Sequence, residues 1–351
     1  MKILVYGAGV LGSIYAVRLF QAGNEVTILA RGERYAQIQK NGIVLECINR
    51  KTFTSVFVPV VQTLSPEDEY DLIVVILRRN QIDAILPILA ANHKVPNILF
   101  LGNNVRGIPK IIAALGKERV LMGFAAFGGL REEGVVRYIA SRRGDQLGYT
   151  VVGELDGKET PRLQAIVKAF EGTGLPVKVE PRIDAWLKTH FALVGPIAGA
   201  LYLAGGDNYR LAKTRDGIIL MIRGIKEGFK VLKVLGIPIV PEKMKSLVNV
   251  PEPLLVPLLK RMMASQRAEV FIAGHANAAR DEMSYLMQEF KELIHLSGLP
   301  TPYLDRLYSH FDPATPAVPQ GSANLGMNWK PIWTGTAALL GLLGIGAVLG
   351  S

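Results

Sequence analysis

Apolar positions in the first third of the chain alternate between short unbroken runs and stretches of helical period. Lys2-Ile3-Leu4-Val5-Tyr6 reads as a buried strand, and residues 11–22 repeat with the spacing of a helix. After the punctuation of Gly23-Asn24, residues 25–30 form a second apolar run, so the chain opens as a βαβ unit. Residues 33–42 read as helical and 43–59 alternate as short strands do. The continuous β-rich run at 71–76 has the two-faced burial expected of a central parallel strand. A helix at 82–91 and a strand at 97–101 follow, and residues 120–124, 135–139 and 146–152 continue the sheet or an antiparallel extension of it. From about residue 181 the period changes to long helical segments at 183–204, 214–235, 253–273 and 280–297, with stops at Gly236-Ile237-Pro238 and Gly298. The pattern predicts an α/β domain over 1–180, with a doubly wound sheet, and an all-helical domain over 181–311. Pro313, Pro316 and Pro319 open a linker that runs to residue 331 and would let the terminal segment move independently.

The junction of the first strand and helix carries chemistry. Gly7-Ala8-Gly9-Val10-Leu11-Gly12 has the G-x-G-x-x-G spacing of a Rossmann-type dinucleotide site. Gly7 permits the tight turn, Gly9 lets a pyrophosphate approach bare backbone, and Gly12 lets the helix sit close to the strand. The helix N-terminus then presents N–H groups and a positive dipole end to the phosphates. Dinucleotide sites that take NAD place Asp or Glu at the end of the second strand for the ribose hydroxyls. Here stand Ala30-Arg31-Gly32, with Arg34 close behind, and a guanidinium suits a 2′-phosphate. NADP(H) is therefore expected over NAD. Two polar loops at later strand ends, 77–81 and 102–107, outline the same crevice.

Composition narrows the function classes. The chain has 351 residues, which suits two domains, and 49% are hydrophobic, ample for two cores. Its formal charge of +10 is spread along the sequence, which argues against nucleic acid and for anionic small molecules or an anionic membrane surface. Cys47 is the only cysteine, so an internal disulfide and a Cys-rich metal site are excluded; no His/Asp/Glu spacing suggests a metal. Met1 leads straight into the first strand and leaves no room for a cleaved signal peptide, which points to a cytoplasmic catalytic body. Residues 332–351 carry no charge, with Trp329 and Trp333 at their entrance and Gly346 and Gly350 at small-xxx-small spacing. Two readings of this tail stay open: a membrane anchor, or a glycine-rich helix packed on the protein or at a subunit interface.

Over residues 1–312 the chain resembles the ketopantoate reductase family, the NADPH-dependent 2-dehydropantoate 2-reductases of pantothenate biosynthesis. The marks are the glycine motif with Ala30-Arg31, the loop Asn103-Asn104-Val105-Arg106-Gly107, Trp186-Leu187-Lys188, Glu282 on the late helix, and the turn from Gly298 to Pro302. The resemblance implies hydride transfer from NADPH to the ketone of a small 2-oxo acid, with the helical domain serving substrate binding and homodimerisation. It implies that Lys188 is the general acid, since an ammonium beside a reducing ketone can polarise the carbonyl and deliver a proton. It further implies that Glu282 hydrogen-bonds the substrate hydroxyl, that Asn104 lies near nicotinamide and substrate, and that Arg78 contacts the adenosine phosphate, with Arg79 as the alternative.

This sequence departs from the family at the substrate. Members that reduce ketopantoate carry two asparagines in the helix after the lysine; here Thr189 to Pro196 holds none, with Ala192 at the first place and Gly195-Pro196 at the second. Val270 falls near the place of the serine that binds the substrate carboxylate, with Ser265 and His275 as loose candidates. His190 supplies a proton or hydrogen bond to a rewritten pocket, or is a satisfied helix histidine. A second function class also stays open: a membrane-tethered NADP(H)-binding protein that senses or scaffolds without turnover.

Overall fold

A computed structural model of the chain describes residues 1–140, 148–247 and 249–329. These fall into two compact units, Met1–Asp184 and Ala185–Ser351. The apolar tail at 332–351, and with it the anchor reading, lies outside the described residues. Among the described residues no helix is long and apolar enough to cross a membrane.

The first unit is organised by its apolar runs. In chain order its strands are β1 (Lys2–Tyr6), β2 (Glu25–Leu29), β3 (Ile43–Cys47), β4 (Thr52–Val56), β5 (Val60–Val61), β6 (Leu72–Val75), β7 (Ile98–Leu101), β8 (Val120–Ala125), β9 (Gly129–Glu132), β10 (Val135–Tyr138), β11 (Thr150–Glu154) and β12 (Val177–Val179). Eight of them form one sheet in the order β12-β11-β8-β7-β6-β1-β2-β5, parallel except where β11 runs against β8. β1, β6 and β7 are apolar on both faces because helices cover both, and Ile3, Leu4, Val5, Leu72, Ile73, Ile98 and Leu99 are wholly buried. The chain leaves β1 for β2 on one side and returns to place β6 on the other. The carboxyl ends of β1 and β6 therefore bound a switch point of the kind where open α/β sheets bind ligands.

Helix Val10–Gln21 is fastened from within. The Tyr15 ring is fully buried against Phe127 and Phe170, and its hydroxyl shares a 2.6 Å hydrogen bond with Thr150. A smaller sheet, β4-β3-β10-β9, stands beside the main one. β9 and β10 are joined by Glu133 and Gly134, both at positive φ (49° and 83°), the two-residue geometry that matches the right-handed twist of a hairpin. The helices Ile108–Leu115 and Pro161–Ala169 and the strands β9 and β12 are too short to stand out by period alone; Thr160, accepting the Leu163 N–H, caps the second of these helices.

The second unit is helical. Its long members are Ile183–Leu203, which starts two residues before the unit begins, Arg215–Val234, Glu252–Met263 and Arg280–Ser297. Two expectations are corrected. The helix read over 253–273 ends at Met263, because Ser265 caps a new start by accepting the Ala268 N–H, and Glu269–Ala273 then winds with the wider π spacing. The proline-rich stretch is no free linker. The Val318 N–H donates to Leu203 O, and Arg210 reaches Val318 O at 2.6 Å. Further on, the buried Asp216 carboxylate accepts the Ser322 hydroxyl and the N–H groups of Asn324 (2.9 Å) and Leu325 (2.8 Å). Glu252, paired with Arg223, accepts the Asn328 N–H at 2.8 Å. The prolines prevent a helix, and an extended strap results, with its backbone donors satisfied by buried carboxylates.

Candidate functional site

The glycine turn follows β1 directly, and the structure supplies a separate reason for each glycine. Gly7 has φ +118°, a conformation hostile to side chains. At Gly12 a Cβ would overlap the Gly7 carbonyl, so any larger residue would force the helix off the strand. At Gly9 the opposite holds: nothing lies within 4 Å of where a Cβ would stand. Helix Val10–Gln21 begins at Gly9 without a side-chain cap, so the turn presents open backbone and an uncapped helix start. Ala8 is buried, and Val10 and Leu11 are half-buried on the same turn. Close backbone where the helix must sit and open backbone where a phosphate must approach fit a dinucleotide.

Basic side chains gather around this turn. Arg31 is exposed at the end of β2 and is the first residue before helix Gly32–Asn41. Arg34 turns back: Nε donates to Ala8 O (3.2 Å), Nη2 to the Ser13 hydroxyl (3.0 Å) and Nη1 to Gly134 O (2.8 Å). Arg131, on β9, donates through Nη1 to the same Ala8 carbonyl at 3.3 Å. Burial, with the neighbouring Arg131 charge adding to it, pushes the Arg34 pKa down to about 10. Arg131 lay beyond sequence reasoning, since only the hairpin turn brings a residue 123 positions away onto the glycine loop.

The two later loops hold their candidates differently. Arg78 is half-buried at the residue before helix Arg79–Ala91. Arg79 is 3% exposed, pairs with Asp83 at 2.9 Å and fills the space beside Gly107. Asn104 is buried, and its Oδ1 accepts the Gly107 N–H at 2.9 Å, an Asx-type turn that shapes the loop. Its neighbour Asn103, read with it in the same loop, buries an Oδ1 that has no hydrogen-bond partner among the described residues.

In the second unit, Lys188 is half-buried on helix Ile183–Leu203. Trp186 and His190 lie one turn apart there and stack with centroids 5.1 Å apart and planes 6° from parallel. Burial, with the nearby His275 charge adding to it, pushes the His190 pKa down to about 4, so the imidazole is neutral at physiological pH. Glu282 is 4% exposed in the first turn of helix Arg280–Ser297, where the helix dipole favours a carboxylate. Ser265 engages its hydroxyl with Ala268 N–H and Met262 O, and Val270 lies in the π-wound turn. The missing asparagines have a packing counterpart. Ala192 is fully buried, with its Cβ and carbonyl 3.2 Å from where a Gly228 Cβ would stand, and Pro196 sits against Gly224 in the same way. Ala192 and Pro196 thus form one side of a close seam with helix Arg215–Val234.

Comparison with known proteins agrees with this geometry. A family model described as ketopantoate reductase PanE/ApbA matches residues 3–157. The uncharacterized oxidoreductase YkpB of Bacillus subtilis is 30% identical over 196 residues, a match covering 54% of this chain and 62% of that protein. A 2-dehydropantoate 2-reductase of Pyrococcus horikoshii is 28% identical over 247 residues, covering 68% of this chain and 75% of that one. Among solved structures, a 2-dehydropantoate 2-reductase of Geobacter metallireducens shares the fold with a TM-score of 0.72 at 17% identity, covering 90% of this chain and all of that one. D-mandelate dehydrogenase, solved with NADH and anilino(oxo)acetate, does so with a TM-score of 0.70 at 19% identity, covering 89% and 97%.

Proposed function

Through residues 3–157 the chain belongs to the ketopantoate reductase PanE/ApbA family, and on that premise we propose that it is an NADPH-dependent reductase of a small 2-oxo acid. The glycine turn is the observation that carries this reading, because its three glycines meet three separate demands of a dinucleotide. When bound, the reduced nicotinamide supplies hydride to the carbonyl carbon. The chain's own residues do the rest. Arg31 pairs with the 2′-phosphate, Arg78 steadies the adenosine side, and the free amide end of the Asn104 side chain remains for the nicotinamide side. Lys188 polarises the carbonyl and delivers the proton to its oxygen, and Glu282 accepts a hydrogen bond from the resulting hydroxyl.

The substrate differs from ketopantoate in its side chain. With Ala192 and Pro196 turned to helix packing, the asparagine contacts are gone, and each hydrogen bond lost to a charged group costs about 1.5–3 kcal/mol. His190, neutral and stacked on Trp186, offers an aromatic surface in their stead. The test is NADPH consumption by the purified chain against a panel of 2-oxo acids. Lys188→Ala is expected to abolish turnover and leave the NADPH dissociation constant nearly unchanged; turnover that persists in the variant removes Lys188 from the chemistry. NADPH binding without consumption across the whole panel removes the reductase reading.

A further inference from the structure

In the first unit two guanidinium groups converge on one neutral carbonyl. Arg34 and Arg131 both donate to Ala8 O, and the other acceptors of Arg34 are the Gly134 carbonyl, the Ser13 hydroxyl and the Gln37 side-chain oxygen. Neither arginine forms an ion pair among the described residues. Two like charges held together without a counter-ion repel, and an anion between them relieves that cost. The hairpin maintains the arrangement: Gly134 of its turn is bound by Arg34, and Gly129 at its other end packs on Val10 at the helix start.

We propose that Arg131, with Arg34 and Arg31, forms a socket for the 2′-phosphate of the dinucleotide, and that Arg131 is a specificity-determining residue for NADPH over NADH. The inference rests on the dinucleotide reading above and names a residue from outside the opening βαβ unit as part of it. The division of work follows from the bonds. Arg34 has every nitrogen engaged with a neutral acceptor, so it braces hairpin against glycine turn and contributes its charge. Arg131 is exposed and makes one 3.3 Å bond through Nη1, so Nε and Nη2 remain for an incoming anion. The diphosphate is served by the uncapped helix start. The ribose phosphate, close to dianionic at pH 7, belongs at the end of β2, where Arg31 and Arg34 stand, and its three oxygens can take more than one guanidinium.

Binding of NADPH and of NADH to the full chain, measured by calorimetry, tests the socket. Arg131→Gln is expected to raise the NADPH dissociation constant about tenfold or more and the NADH constant less than about twofold, while Arg131→Lys recovers part of the loss. Equal weakening of both cofactors overturns the proposal by making Arg131 a diphosphate or structural residue; no weakening of either overturns it as well. In both cases the dinucleotide reading stands, because the unmodified chain still binds. An unmodified chain that binds neither cofactor defeats that reading and the socket with it. Arg131 is solvent-exposed, so the variant is expected to fold, and an unchanged melting temperature establishes that it does.

Discussion

His190 shows how one side chain ties packing to pH. Its folded-state pKa is pushed down to about 4 by burial, while an unfolded imidazole titrates near 6.5. Between those values the unfolded chain binds more protons than the folded one, so stability falls as pH drops from about 6.5 towards 4 and is unaffected well above that window. Urea unfolding at pH 7 and pH 5 should show the unmodified chain losing about 1–2 kcal/mol more than His190→Phe, which keeps a ring on Trp186 without the titration. The same pH response in both chains would mean that His190 is not the group responsible. At this scale the sequence is a good guide where a residue's partners are local. Gly7, Gly9 and Gly12 could be assigned roles from spacing because each acts within six positions. Arg131 could not: the Ala8 carbonyl it meets lies 123 positions earlier, and only the fold brings the two together.

At the scale of elements, the apolar period located β1, β2, β6 and β7 and the helices Arg215–Val234 and Arg280–Ser297 to within a residue or two. Burial there follows a single repeat. The region after Met263 escaped because its 3.6 period passes unchanged through a cap at Ser265 and a π-wound turn, which alter hydrogen bonding without altering polarity. The seam between Ile183–Leu203 and Arg215–Val234 was also hidden, although its glycines are plain to see. Gly224 and Gly228 read as weak points in a helix, and only the residues across from them, Leu307, Leu304 and Pro196 at Gly224 and Ala192 at Gly228, show them to be points of close approach. Gly228→Leu should therefore destabilise the protein by about 1–3 kcal/mol through overpacking, although leucine is the better helix former. Denaturant unfolding measures this, and a stability gain would show that the seam can open without cost.

At the scale of the whole molecule, the strap over residues 318–328 was the least legible feature. Its anchor Asp216 lies 106 positions before Ser322, and no local pattern links a buried aspartate to a proline-rich stretch so far away. Burial alone would raise the Asp216 pKa, but the hydrogen bonds from Ser322, Leu325 and Asn324 outweigh it and hold the carboxyl below its usual range. Asp216→Ala leaves those three donors without their acceptor, at a cost of about 2–3 kcal/mol. Limited proteolysis should cut between 318 and 328 slowly in the unmodified chain and much faster in the variant; equal rates would show that the strap holds without Asp216.

The strap also decides where mechanical load enters the protein. A tag, a fusion partner or a surface attached beyond residue 329 hauls first on Asn328 and Leu325, and through them on Glu252, Arg223 and Asp216. The helical half is thereby the moored half, and force from the carboxyl terminus falls first on charged side chains of helices Arg215–Val234 and Glu252–Met263.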